Sequence, residues 1–140
     1  MSQSVTSAPS RVESGVPGFD SLVEGGLPKD RVHVVSGPPG SGKTTFSSQF
    51  LTHGAAQGEF GLFLSVHETQ TQLLEDMGRF EFRLPEAMQA DRLRFVNMVS
   101  EEGQQLIRRA ERRGSGRFNL EHLAAELDNL VGSNDIDRIV

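Results

Sequence analysis

Eight residues, Gly37 to Thr44, read Gly-Pro-Pro-Gly-Ser-Gly-Lys-Thr and follow directly on the apolar run Val32-His33-Val34-Val35-Ser36. The spacing G-x-x-x-x-G-K-[ST] suits a loop whose backbone N–H groups wrap phosphate oxygens. Its Lys reaches the terminal phosphates, and the hydroxyl of its last residue ligates Mg²⁺. The context agrees with the pattern. A β-branched run leads in, and Thr44 to Gln57 leads out as a helix with Phe46, Phe50 and Leu51 on one face, ended by Gly58. Strand, glycine-rich loop and helix in that order predict a nucleotide site. Its members are Gly37, Pro38, Pro39, Gly40, Ser41, Gly42, Lys43, Thr44 and Thr45.

Each residue type has a reason to be there. Gly37 permits the turn out of the strand, and Gly40 and Gly42 allow close backbone approach to the phosphates. Pro38 and Pro39 stiffen the loop and remove donors that are not needed. Lys43 offsets phosphate charge, and Thr44 is the Mg²⁺ ligand.

The rest of the chain alternates strands and helices. Arg31 to Ser36 reads as a buried parallel strand, Phe60 to Val66 as a second, Leu93 to Val99 as a third and Asp137 to Val140 as the start of a fourth. A short helix over Phe19 to Glu24 is broken by Gly25-Gly26-Leu27-Pro28. Thr69 and Gln72 have the spacing of a capping box for a helix carrying Leu73, Leu74 and Met77. Pro85 to Ala90 reads as a helical turn. Asn119 reads as the N-cap of a helix through Val131, with Leu120, Leu123, Leu127 and Leu130 inward. The predicted class is α/β with a mostly parallel sheet.

Composition removes several alternatives. The formal charge is −5, so no global positive field draws the chain to nucleic acid or to an acidic membrane. Cysteine is absent, which excludes disulfides and thiolate metal sites. His33, His53, His67 and His122 lack metal-ligand spacing. No apolar stretch approaches the ~20 residues needed to span a bilayer. Met1 to Ser10 is Ser-rich without a basic start or an apolar centre, so residues 1–11 are expected to be a disordered tail rather than a secretory signal. A cytoplasmic location is the default expectation.

The phosphate loop and its flanks resemble the KaiC-like domains of the RecA/RadA superfamily of ATPases. Ser14-Gly15-Val16-Pro17-Gly18-Phe19-Asp20 and Gly25-Gly26-Leu27-Pro28 resemble the entry motif of that family. Val35 to Thr45 resembles its loop, and Gly58 to Ser65 its second strand. The resemblance is specific from Val12 to Met77 and is a pattern of elements beyond. It implies a RecA-like core, ATP as the nucleotide, and assembly of a ring or filament of identical subunits.

Two departures bear on activity. The family ends its second strand with two consecutive glutamates, one of which polarises the attacking water; here the pair is His67-Glu68. The resemblance makes Glu68 the candidate water-positioning residue, with His67 a weaker catalytic candidate that also reads as an ordinary structural or exposed histidine. The family's Walker B run ends in an Mg²⁺-holding Asp, and Asp137-Arg138-Ile139-Val140 resembles its approach without the Asp. Residues 12–140 are therefore expected to be the N-terminal part of an ATPase domain, with a sheet incomplete at its C-terminal end and no activity when isolated.

Three functions fit. One is slow ATP hydrolysis serving regulation or signalling, another nucleotide binding without turnover, and the third a recombinase-like, DNA-dependent ATPase. The basic stretch Arg108 to Arg117 reads as a solvated helix end, or as a contact to DNA, to a neighbouring subunit's nucleotide or to an acidic partner. No membrane partner is expected.

Overall fold

The computed structural model describes residues 9–132 and 134–140. The chain divides into two compact units, residues 1–50 and 51–140. Most of the expected tail lies outside the described residues; Arg11, at its end, is the first residue of a strand.

In the first unit, β1 (Arg11–Val12) pairs antiparallel with β2 (Leu27–Pro28), in register Arg11↔Pro28 and Val12↔Leu27. Between them lies the one-turn helix α1 (Phe19–Leu22). The Asp20 carboxylate accepts hydrogen bonds from the Ser14 and Gly15 backbone N–H groups at 2.9 and 3.2 Å. The Arg11 guanidinium donates to the carbonyls of Val23 and Gly26 and pairs with Glu24 at 2.7 Å. Gly26, at φ 126°, is pressed against the Val12 backbone where no Cβ could fit. These bonds fold the glycine-rich entry segment onto itself.

The expected strand over Arg31–Ser36 is not formed. Residues 31–40 are exposed throughout, Val32 and Val34 at 94% and 88%, and no ladder includes them. A parallel strand exists only through its neighbours, and among the described residues this segment has none.

Helix α2 (Lys43–Ala56) begins in the first unit and ends in the second. The second unit is built on a parallel three-stranded sheet in the order β4-β3-β5, with β3 at Gly61–Ser65, β4 at Leu93–Asn97 and β5 at Arg138–Ile139. Gly61↔Leu93 through Ser65↔Asn97 sets one register, and Gly61↔Arg138 the other. Helices α3 (Gln70–Met77) and α4 (Leu84–Gln89) connect β3 to β4, while α5 (Glu101–Arg113) and α6 (Leu120–Val131) connect β4 back to β5. Right-handed crossovers running in opposite directions put the two helix pairs on opposite faces of the sheet.

Residue alternation agrees. Leu62 and Val96 are fully buried against Leu106 of α5 and Leu127 of α6, with Leu64, Met98, Leu123, Leu130 and Ile136 around them. The intervening residues Phe63 and Phe95 stack at 5.6 Å on the other face, where α3 and α4 pack on β4. The predicted capping box forms in full: Thr69 Oγ1 accepts from Gln72 N, and the Gln72 side chain accepts from Thr69 N. Asn119 caps α6 by accepting from Glu121 N at 2.8 Å. Leu120, expected to face inward, is 72% exposed. It occupies the first position of α6, and helical periodicity fixes an azimuth without fixing how far along the axis the packed surface extends.

A buried Arg138 clips the C-terminal end of α2 to the sheet. Its guanidinium pairs with Glu59 directly over Gly54, which has no room for a side chain. No helix among the described residues is long and apolar enough to cross a membrane.

Candidate functional site

The nine residues singled out in the sequence lie together in one bend at the start of α2. Gly40 and Gly42 are both left-handed, at φ 80° and 91°. Alternating such residues with ordinary ones is how successive peptide N–H groups come to line a concave, anion-binding nest. A Cβ at either position would meet open space, so what these glycines supply is backbone conformation rather than room. Gly37 differs: its absent Cβ leaves space for the Ser41 hydroxyl, which would stand 2.5 Å from it.

Two donors close the bend. Ser41 N donates to Pro38 O at 3.2 Å, and Lys43 Nζ donates to the carbonyls of Gly37 and Pro38 at 2.8 and 3.0 Å. The ammonium is thus folded back over the loop it follows. Helix α2 starts directly behind, with Phe46 N bonded to Gly42 O at 2.8 Å, and its N-terminus adds a partial positive charge. Phe46 packs edge-to-face on Phe19 at 5.2 Å, and Gln49 Nε2 donates to Gly15 O at 2.7 Å. These two contacts tie the first turns of α2 to the entry segment, a coupling that the sequence motifs show only as neighbouring patterns.

The donor set suits a polyphosphate. It combines one ammonium, a helix N-terminus and a left-handed glycine pair with the hydroxyls of Ser41, Thr44 and Thr45. For a divalent cation the loop offers hydroxyl ligation only, and no group of three or more His, Asp or Glu side chains that could hold a metal gathers among the described residues. A Mg²⁺ ion at this loop would take a hydroxyl ligand from the protein and its other oxygens from the nucleotide and water.

His67 and Glu68 belong to the second unit, just past the C-terminal end of β3. The Ser65 hydroxyl accepts from both of their backbone N–H groups, at 3.3 and 2.9 Å. Asn97 Nδ2 donates to the Glu68 carbonyl at 3.1 Å. Ser65 and Asn97 face each other in register at the ends of adjacent strands. Together they fix the turn that carries Glu68, which is half-buried, and His67, which is exposed. No motif singles out either Ser65 or Asn97; their signal in the sequence is a polar residue ending each apolar run at the strand's C-terminal edge, where open α/β sheets place ligands. His33, assigned to the missing strand, is exposed, with Nε2 2.9 Å from Pro28 O.

The sequence profile of a protein family described as "ATPase: KaiC" matches residues 12–140. The chain belongs to the KaiC ATPase family. It is 33% identical over 129 residues to the circadian clock protein KaiC3 of Synechocystis sp., a match covering 92% of this chain and 24% of that protein. It is 43% identical over 70 residues to a UPF0273 protein of Pyrococcus horikoshii, covering 50% of this chain and 28% of the relative. A crystal structure of a KaiC-like protein from Pyrococcus horikoshii superposes with a TM-score of 0.63 at 25% identity, over 94% of this chain and 69% of that one. The fold is thus that of a RecA-superfamily P-loop ATPase domain, and membership of an ATPase family implies nucleotide binding. This KaiC-family chain spans about a quarter of the length of the curated relatives it matches.

Proposed function

We propose that this chain binds Mg-ATP through Gly37–Thr45 and belongs to a protein that hydrolyses it slowly, in the service of regulation or signalling. The observation that carries the reading is the closed bend at the head of α2, with Lys43 Nζ on the Gly37 and Pro38 carbonyls. An ammonium held there needs only to exchange carbonyl partners for phosphate oxygens. The Gly40 and Gly42 conformations give phosphate access to backbone donors, and the Thr44 hydroxyl is the protein's ligand to Mg²⁺, which when bound offsets charge on the phosphates. Glu68, held by Ser65 and Asn97, is the group assigned to orient the attacking water.

Residues 12–140 form, in this proposal, the N-terminal part of a longer ATPase domain that assembles into a cytoplasmic ring or filament. The fraction of each relative that they cover supports a longer protein, as does the Arg31–Ser36 segment, which joins no ladder among the described residues. The test is calorimetric titration of the intact protein with ATP at millimolar Mg²⁺, alongside Lys43→Ala. Binding is expected for the first and loss of about 100-fold or more in affinity for the second, as charge-assisted bonds to phosphate are removed. Equal heats from both proteins would overturn the assignment.

A second reading, binding without turnover, is favoured by His67, since an imidazole does not bring the negative charge of a carboxylate beside the water. Phosphate release separates the two. A slow rate in the intact protein, lost in Glu68→Gln, supports hydrolysis. No release until His67→Glu is introduced supports a binding module. A base in place is worth about 10²–10⁴-fold in rate.

A further inference from the structure

We propose that the exposed arginine face of α5, with Phe118 and Leu120 at its C-terminal corner, docks an acidic segment of a partner protein that also carries apolar side chains. Helix α5 buries Gly103, Leu106 and Ala110 and turns Arg108, Arg109, Arg112 and Arg113 to solvent. These four form two rows at i, i+4 spacing, Arg108 with Arg112 and Arg109 with Arg113. Like charges at that spacing repel one another along a helix.

Local partners account for only part of this charge. Arg113 pairs with the buried Glu126 of α6, and the helix C-terminus favours cations in its last turn, where Arg112 and Arg113 stand. Arg108 and Arg109 lie a turn further in, beyond the reach of that effect. Among the described residues, Arg108, Arg109, Arg112 and Arg117 make no ion pair or hydrogen bond through their side chains. The chain as a whole carries −5, so acidic groups were available to neutralise them.

The corner adds apolar surface. Phe118 is 53% exposed and Leu120 72%, on either side of the α6 cap Asn119 and next to Arg117. Guanidinium rows on α5, followed along the chain by an exposed aromatic and an exposed leucine, are complementary to a segment mixing carboxylates with apolar anchors. A nucleic acid would be matched by the arginines and by Phe118, on which a base can stack, and would leave Leu120 unused. A protein segment uses the leucine as well.

The experiment takes the full chain and measures fluorescence anisotropy of a labelled amphipathic peptide with Glu at i, i+4 on one face and Leu and Phe on the other. An all-polar peptide with the same Glu spacing and a single-stranded oligothymidine serve as comparators. Saturable binding of the amphipathic peptide is expected, weakened about tenfold by Arg108→Glu with Arg112→Glu and several-fold by Phe118→Ala. These positions are exposed; equal far-UV spectra of variant and parent show that the fold is kept. The proposal is overturned if the peptide does not bind, if the substitutions leave binding unchanged, or if the oligothymidine or the all-polar peptide binds as tightly. ATP titration of the same variants reads the loop separately, so failure of the docking surface is distinguishable from failure of the nucleotide site.

Discussion

Glycine serves this chain in two unlike ways, and the difference predicts opposite phenotypes. Gly42 holds φ 91° with open space where its Cβ would be. Gly42→Ala therefore strains the loop by about 1–3 kcal/mol without a clash, and because the loop is exposed it can relax toward an ordinary conformation. The expected outcome is ATP affinity reduced tenfold or more with a melting temperature close to the parent's, read by calorimetric titration and thermal unfolding. Gly103 is the reverse case. Its Cβ would overlap the Asn97 carbonyl and the Met98 backbone, where the start of α5 lies on the end of β4. Gly103→Ala should lower stability by about 1–3 kcal/mol in urea unfolding and leave the loop untouched. Gly42 was legible in the sequence because the spacing of a phosphate loop names it. Gly103 was not, since a close approach between two elements appears only once they are packed. The Ser65–Asn97 support for Glu68 stayed hidden for the same reason: it exists through the register of two strands.

Elements announced themselves where their ends carried chemistry. Thr69 with Gln72 and Asn119 marked helix starts that the structure reproduces. Helix α5 as a whole was obscure, visible in sequence only as a basic helix end. It holds few apolar residues, and its cap, Ser100, accepts from Gly103 N at 3.2 Å without a Glu or Gln at the matching position to complete a box. Ser100→Ala is expected to cost about 0.5–2 kcal/mol, measured as a shift in the urea midpoint at constant slope. The leucines of α6 sharpen the same lesson. Four share the helical spacing, yet Leu127 lies in the core with Leu62, Val96 and Leu106 while Leu120 is solvent-facing. Leu127→Ala should destabilise by about 2–5 kcal/mol, whereas Leu120→Ala should stay within about 0.5 kcal/mol. Equal effects would mean that the α6 packing is misassigned.

At the scale of the molecule, the informative failure is Arg31–Ser36, a segment with every local mark of a buried strand that lies in solvent. Its sequence states what it can pair with and nothing about whether the partner is at hand. Among the described residues, the sheet that does form, β4-β3-β5, gives β5 a neighbour on one side only, and Ile139 is half exposed there. If residues 12–140 are the N-terminal part of a longer domain, both features have one cause, and a single pair of substitutions separates the alternatives. Val32→Lys with Val34→Lys places charge on a segment that is solvent-exposed in residues 1–140, where surface substitutions change stability by no more than about 0.5 kcal/mol each. The variant should unfold like the parent and aggregate less, because an exposed apolar, β-branched segment offers its unpaired backbone groups to another chain. In a polypeptide extended to the length of the family relatives, the same segment would be a central strand covered on both faces. Burying two unpaired ammonium groups there would abolish folding or cost several kcal/mol. Urea unfolding of both lengths, parent and variant, reads the difference directly. Tolerance of the double substitution at both lengths would show that the segment never enters a sheet, and a comparable loss at both would show that it is already packed in the shorter one.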